Sequence, residues 1–430
     1  SDYVLLPDAI TFLYLRASFA RVKEAFSQAT IGVPPNTPVP YGANYTSSYD
    51  GPSYGTTVAY SISRPYNNEA AAYYSTRLVD PNIQPSTRTN YEGGLEMKFM
   101  NNRLGLDLTY FNYLDGHQIF GLKLPESTGY GALTTNGIKT QRKGLEIAVS
   151  GNVLKSGTGL NWDILANWST WQETLKEIYG SQTRLNQFYK IGDRLDAYYG
   201  RAFVRTQDGQ IVNDASGRPI YNPVNQFLGY TNPDWTFGFQ NKFSYKNFNF
   251  SFQFDGRVGG VIENYIQKQT FRGGRHQATV EGAMGIARLA DTQGQKTWVG
   301  EGVVLTGGTI KYDPDGLVTN YGELNFTPMS SANATFLQDW ISRYYNSNEG
   351  NMINRTFVKL RELQVGYSLP AGLLGKNIKQ ATISLVGRNL LYFAHSKDLD
   401  VEQFVNYTDR GSSLQTPTMR RYGININFTF

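Results

Sequence analysis

Apolar and polar residues alternate in short segments of this chain, and this alternation constrains the fold more than any other feature. Residues 247–255 read NFNFSFQFD, which puts four Phe side chains on one face of an extended chain and polar side chains on the other. Residues 421–430 repeat the pattern, with Tyr422, Ile426 and Phe430 on the apolar face. A period of two residues predicts amphipathic β-strands.

The same alternation recurs along the whole chain and predicts ten antiparallel strands. Their expected ranges are 11–22, 86–99, 103–114, 139–150, 158–170, 233–244, 247–258, 355–367, 379–390 and 418–430. Two stretches with helical spacing of apolar residues, 278–291 and 334–345, predict short helices inside one of the connections.

Short and long connections alternate between these strands. The short ones are expected at 100–103, 151–157, 245–247 and 368–378, and the long ones at 23–85, 115–138, 171–232, 259–354 and 391–417. If the strands run up and down in order, every long connection lies at the same end of the sheet. That asymmetry is typical of outer-membrane barrels, which have tight periplasmic turns and large extracellular loops.

The second face of the strands carries charges such as Glu96, Lys98, Asp107 and Glu146. An aqueous or protein-filled lumen accepts charged groups, whereas hydrocarbon does not. The fold class predicted from this pattern is all-β, an antiparallel transmembrane β-barrel.

Composition excludes several kinds of site. The chain has no Cys and three His, so thiolate chemistry, disulfides and a histidine-rich metal centre are not expected. The net charge of +5 is spread over 430 residues without a basic run, and therefore indicates no nucleic-acid partner. No cofactor and no metal are predicted.

Several sequence blocks resemble those of one protein family. Residues 357–370 read FVKLRELQVGYSLP and resemble the signature of that family's penultimate hairpin; residues 386–393 read VGRNLLYF, and residues 400–402 read DVE where the family often has Asp-Pro-Glu. Further matching blocks, in family order, are residues 14–19 (YLRASF), 80–82 (DPN), 99–104 (FMNNRL), 142–146 (RKGLE), 232–235 (NPDW) and 417–430.

On these blocks the chain resembles the C-terminal half of the SusC/RagA-type TonB-dependent outer-membrane transporters of Bacteroidetes. The resemblance implies a barrel of about 22 strands with an N-terminal plug, of which residues 1–430 would supply about ten C-terminal strands and no plug. It also implies partners: a SusD-type surface lipoprotein, the TonB complex reached through the missing N-terminal part, the barrel-assembly machinery, outer-membrane lipid, and a glycan or peptide substrate.

Two sets of residues are candidates for function. Tyr198, Tyr199 and Phe203 resemble part of a loop that reaches back toward the lumen, and their rings could stack on a substrate or pack within their own loop. The apolar residues of the last strand resemble the C-terminal signal for barrel insertion, and could equally be ordinary lipid-facing residues: Tyr422, Ile426, Phe428 and Phe430.

The acidic residues Asp398, Asp400 and Glu402 could bind calcium, but a solvated turn is the favoured interpretation. The predicted function is TonB-dependent import of oligomeric nutrients across the bacterial outer membrane, without enzymatic activity. The alternative is a small outer-membrane barrel acting as an adhesin or as an enzyme, for which His117 and His395 are the only plausible catalytic groups.

Overall fold

Ten long strands form one antiparallel sheet in which each strand pairs with the next one along the chain. The computed structural model describes residues 9–24, 60–61, 65–70, 73–74, 77–80, 82–178, 180, 182–186, 188–374, 378–396, 399–403 and 418–430. The strands are β1 (Ile10–Glu24), β2 (Ser86–Phe99), β3 (Leu104–Lys123), β4 (Ala132–Leu154), β5 (Leu160–Ile178), β6 (Trp235–Tyr245), β7 (Phe248–Val258), β8 (Phe357–Ser368), β9 (Gln380–Ala394) and β10 (Arg421–Thr429). All ten predicted strands are therefore confirmed, and their pairing order is the sequence order.

The register of the sheet gathers the apolar residues of all ten strands on one face. Leu15 lies opposite Leu95, and Leu95 lies opposite Leu108 on its other side. This apolar face is exposed: Tyr422 on β10 is 77% exposed, and Phe430, which directly follows β10, is 74% exposed. The run from Tyr422 to Phe430 is about 27 Å long at ~3.4 Å per residue, or ~21 Å high at a tilt of about 40°. A band of that height matches the hydrocarbon layer around an outer-membrane barrel.

The connections follow the predicted asymmetry, with one correction. The short ones are 100–103, 155–159, 246–247 and 369–379, and all lie at one end of the sheet. The predicted long loop at 115–138 is wrong, because β3 runs on to Lys123 and β4 starts at Ala132. The strands continue past the apolar band, where residues such as Thr135 and Thr140 keep the ladder but end the apolar alternation.

At the other end, the connections β5–β6 and β7–β8 pack together as a lobe formed by residues 188–232 and 260–356, called here the connection lobe. It contains helices α1 (Tyr265–Arg272), α2 (Gly282–Thr292) and α3 (Leu337–Tyr344), of which α2 and α3 were predicted and α1 was not. Leu337, Trp340 and Ile341 of α3 form its core with Phe271 of α1.

Smaller elements complete the structure. Short strands are Tyr60–Ser61, Pro65–Tyr66, Glu69–Ala70, Tyr73–Tyr74, Arg77–Val79, Ala197–Gly200, Val212–Asn213, Gln226–Tyr230, Val261–Glu263, Val303–Gly307, Asn325–Pro328 and Met352–Asn354; single 3-10 turns are Glu126–Thr128, Gln277–Val280, Tyr321–Glu323, Ser331–Asn333, Glu349–Asn351 and Ala371–Leu373. Arg77–Val79 joins the main sheet by pairing in parallel with β4.

The two outer strands of the sheet each have one partner in the described part of the chain. β1 pairs with β2, and β10 pairs with β9, so each presents one unpaired edge. None of the helices that the structure describes is long and apolar enough to cross a membrane.

Candidate functional site

The face of the sheet opposite the apolar residues, called here the charged face, is held together by ion pairs that cross between strands. Arg16 on β1 reaches Asp107 on β3 with two hydrogen bonds of 2.9 and 2.7 Å between guanidinium nitrogens and carboxylate oxygens. Between them lies Gly94 on β2, and a Cβ at that position would stand 2.3 Å from Arg16 Nε. Glycine at 94 is therefore what allows the arginine to pass over the middle strand.

Nearer the long connections, the charged face carries a second set of ion pairs. Arg88 donates to Asp115 at 2.5 and 2.9 Å, and Arg142 donates to Glu173 at 2.8 Å. The Arg142 guanidinium also lies 4.9 Å from the ring centroid of Trp171. Because charged groups on this face have polar partners, it suits a lumen filled by water or by another protein segment.

A group of buried and half-buried charges, called here the rim clasp, lies where β8 meets the chain between β9 and β10. Lys359 Nζ donates to both carboxylate oxygens of Asp400 at 2.8 and 2.7 Å and to Glu402 Oε2 at 2.6 Å. Arg361 binds Glu402 and Asp255, and Thr418 donates its backbone N–H to Asp400 at 3.0 Å. The clasp thus ties residues 399–403 and Thr418, both outside the strands, to the wall of the sheet.

A β-bulge supplies the geometry of the clasp. The register of β8 shifts between Leu360 and Glu362, so two consecutive side chains serve the charged face. Arg361 joins the clasp, whereas Glu362 accepts a hydrogen bond of 2.9 Å from Arg388 on β9. Regular alternation would have sent one of the two into the apolar face.

Burial and hydrogen bonding act in opposite directions on the acids of the clasp. Burial alone would raise the pKa of Asp400, but hydrogen bonds from Lys359 and Thr418 outweigh it and hold that pKa below its usual range. The pKa of Glu402 is lowered in the same way, against burial, by Arg361 and Lys359. Both carboxylates are therefore charged acceptors at neutral pH.

The favoured interpretation of Asp400 and Glu402 as a solvated turn is wrong for Asp400, whereas the Glu402 side chain is 28% exposed. The Lys359 side chain is 3% exposed and that of Asp400 is 7% exposed, because the neighbouring Leu399 and Val401 are buried against Ile262. Asp398 lies outside the described residues. Across the described part of the chain, no group of three or more His, Asp or Glu is placed to hold a metal ion.

The aromatic candidates lie in the connection lobe, and the structure does not bring all three together. Phe203 is 4% exposed and its ring packs on that of Tyr344 at 5.0 Å. Tyr198 is half-buried and donates to Glu263 at 3.1 Å. Tyr199 stacks on Phe188 at 4.8 Å and keeps part of its ring accessible. Their role in substrate binding stays a prediction, and Tyr199 is the best placed for it.

The candidate insertion residues share the exposed apolar face of β10, as predicted from their spacing: Tyr422, Ile426, Phe428 and Phe430. Their role as a signal stays a prediction. Of the two histidines named for the alternative enzyme, His117 has its Nδ1 3.2 Å from Thr87 Oγ1 and His395 is exposed. A catalytic role for either one stays a prediction. Lys359 and Arg361 were not chosen from the sequence, although both lie in the block 357–370.

Comparison with curated proteins finds related sequences with one common description. The chain is 23% identical over 362 residues to TonB-dependent receptor P26 of Formosa agariphila, covering 76% of this chain and 32% of that protein. It is 25% identical over 236 residues to TonB-dependent receptor SusC of Bacteroides thetaiotaomicron, covering 46% of this chain and 22% of SusC. The chain spans about a third or less of the length of these relatives. No family model matches it.

Comparison with solved structures identifies the fold. The RagAB peptide transporter superimposes with a TM-score of 0.59 at 16% identity, covering 99% of this chain and 42% of that one. The RagAB peptide importer in its closed-closed state gives 0.56 at 15% identity, with 99% and 42% covered. Nearly every residue of the chain therefore has a counterpart in a solved transporter barrel.

Proposed function

We propose, starting from the identity of this chain as a SusC/RagA-type TonB-dependent transporter, that residues 1–430 form part of the wall of an outer-membrane barrel that imports oligomeric nutrients. One observation carries the proposal. Ten consecutive strands present an exposed apolar face and an ion-paired charged face, with every long connection at the same end. A hydrocarbon layer outside and a polar lumen inside are the environments that satisfy both faces.

The unpaired edges of β1 and β10 require further strands. An open edge in hydrocarbon leaves backbone N–H and C=O groups without partners, at a cost of several kcal/mol for each group. Other strands of the same polypeptide would close the barrel, and a plug inside it would face the charged face. Coupling to TonB would pass through that plug, outside residues 1–430.

We place the connection lobe on the cell surface, where it would contact a SusD-type lipoprotein. The lobe is built from two long connections that pack around their own core, which gives a partner a preformed surface. The RagAB importer is described in open-open and closed-closed states. Ile262 of the lobe packs against Leu399 and Val401 beside the clasp, and this contact would transmit such a change to the wall.

The cargo would be a glycan or a peptide, bound by aromatic rings and charges near the top of the lumen. Tyr199 is the lobe residue best placed to stack on a sugar ring or a peptide side chain. The proposal assigns no bond-breaking step to this chain.

The test is uptake by the native host. Cells lacking the full-length gene are compared with complemented cells for uptake of fluorescent oligosaccharides and oligopeptides, with and without an active TonB complex. We expect one cargo class to enter only when both the gene and TonB are present. Uptake unchanged by deletion for every cargo, or fractionation of the protein away from the outer membrane, would contradict the proposal.

A further inference from the structure

The apolar face of the sheet has a polar cavity above it and an apolar groove within it, at the same strands. The cavity, of about 640 Å³, is lined by residues including Phe19, Arg21, Tyr91, His117 and Lys139. The groove, of about 420 Å³, is lined by β1, β2 and β3 residues of the apolar face, which are Leu15, Ala17, Gly93, Leu95 and Leu108, and by Arg16 and Gly94.

The two spaces are stacked along the strands and meet at one aromatic pair. Phe19 and Tyr91 lie opposite each other in the register, with ring centroids 5.3 Å apart. Below them, Ala17 lies opposite Gly93, and a Cβ added to Gly93 would meet no atom within 4 Å. An apolar chain could therefore lie in the groove while a polar group attached to it occupies the cavity.

Cations are concentrated around the cavity. Arg21 and Lys139 line it, and alternation places Lys23 and Lys143 on the same face of β1 and β4. Lys139 is paired with Glu177 at 2.8 Å, whereas Arg21, Lys23 and Lys143 have no ion pair with another described residue. This end of the apolar face therefore offers uncompensated positive charge at the edge of the apolar band.

We propose that this surface binds a phosphorylated glycolipid of the outer leaflet, with an acyl chain in the groove and a phosphorylated headgroup that spans the distance between Arg21 and Lys143. Charge complementarity selects an anionic headgroup. β1 and β4 are about 14 Å apart across three strand spacings, so the headgroup must be wider than a single phosphate, which a phosphorylated sugar satisfies. The inference rests on the proposed function, which sets this end of the sheet at the cell surface.

The experiment uses the full-length transporter purified from outer membranes in mild detergent. Bound lipid is extracted and measured by mass spectrometry for the wild type, for Arg21→Ala/Lys143→Ala, and for Gly93→Leu, which fills the groove. Lys246→Ala, which removes a cation from the short turn between β6 and β7, is the matched control. Delipidated protein is then titrated with the phosphorylated glycolipid, its dephosphorylated form and phosphatidylglycerol.

We expect the double variant to retain about thirtyfold less phosphorylated glycolipid, because each of the two interfacial cations that it removes contributes ~1 kcal/mol. Gly93→Leu should retain less as well. The control should match the wild type. Equal retention by the double variant, or binding of phosphatidylglycerol as tight as that of the glycolipid, would overturn the inference. A heat-modifiable gel shift verifies folding of each variant.

Uptake is measured in the same strains, so that the two proposals can fail separately. Loss of lipid with TonB-dependent uptake intact supports the lipid site and leaves the import function standing. Lipid retention at the site in a protein that imports nothing overturns the import function alone.

Discussion

Arg16 and Asp107 are joined by a two-pronged ion pair across an intervening strand, and Gly94 is the residue over which the arginine passes. The adjacent Gly93 has no such role, since its missing side chain would point to open space on the apolar face. Two neighbouring glycines therefore lie on opposite faces of the same strand. Substituting each one separately shows which glycine the ion pair needs.

We expect Gly94→Val to lower the temperature at which the folded barrel loses its heat-modifiable gel mobility, because the new side chain displaces Arg16 and leaves Asp107 unpaired. Gly93→Val should leave that temperature nearly unchanged. The prediction fails if the two valines have equal effects.

Lys359→Met should destabilise the rim by about 3–5 kcal/mol, because it leaves the buried carboxylates of Asp400 and Glu402 with less positive charge. The control is Lys311→Met, which removes an exposed partner of Glu323 and should have little effect on stability. Denaturant-dependent proteolysis at residues 399–418 would measure the difference. Similar protease resistance in both variants would contradict the role of the clasp.

The clasp should also loosen in acid. The pKa values of Asp400 and Glu402 are lowered in the folded protein, so their stabilising effect is complete above the ordinary carboxyl range near pH 4 and is lost as the pH falls through the lowered values. Protease sensitivity of residues 399–418 should therefore rise below about pH 4. In Asp400→Asn it should already be high at pH 7 and vary less with pH.

Phe203→Ala and Tyr199→Ala should have different consequences. Phe203 is buried against Tyr344, so its truncation should destabilise the connection lobe by about 3–5 kcal/mol. Tyr199→Ala should leave the lobe protease-resistant and raise the KM for uptake if Tyr199 stacks on cargo. Unchanged uptake kinetics in a folded Tyr199→Ala protein would remove Tyr199 from the substrate site.

Phe430→Ala should reduce the amount of assembled protein in the outer membrane several-fold, because it removes the apolar side chain that directly follows β10. Thr429→Ala changes the opposite face of the same strand and should have little effect. Quantitative blotting of heat-modifiable protein measures both, and equal assembly of the two variants would argue against an insertion signal.

The strands were predictable because a sheet with one apolar and one polar face needs apolar residues at every second position. That period of two is visible in a short stretch of sequence. The ends of β3 and β4 were not predictable in this way, since Thr135 and Thr140 continue a ladder beyond the apolar band, where neither face carries the alternation. Short connections predicted the pairing of the strands that they join, and the assumption that strands run up and down in order predicted the remaining pairs.

The sequence predicted that one face of the sheet carries charges, but it did not predict which of these charges form ion pairs with each other. Arg16 and Asp107 lie far apart in the sequence, and no local pattern states that they meet. The clasp was more difficult to predict. It depends on a bulge that places Arg361 and Glu362 together on one face, and an alternating pattern does not indicate where a strand contains an extra residue. Tyr199 and Phe203 looked alike in the sequence, and only the packing of the lobe separates them.

The bulge in β8 also limits how this protein can evolve. Deletion of Arg361 would leave regular alternation, because Glu362 lies opposite Gln253 and Leu360 lies opposite Phe254, but the clasp would lose its arginine. A one-residue deletion elsewhere in a strand would instead move part of that strand to the wrong face. Substitutions in the wall can be accepted one at a time. A change in the length of a strand, by contrast, turns charged side chains toward the hydrocarbon layer and apolar side chains toward the lumen. Insertions and deletions among relatives should therefore accumulate in the long connections at one end of the sheet, so that new cargo specificities arise there while the wall keeps its length.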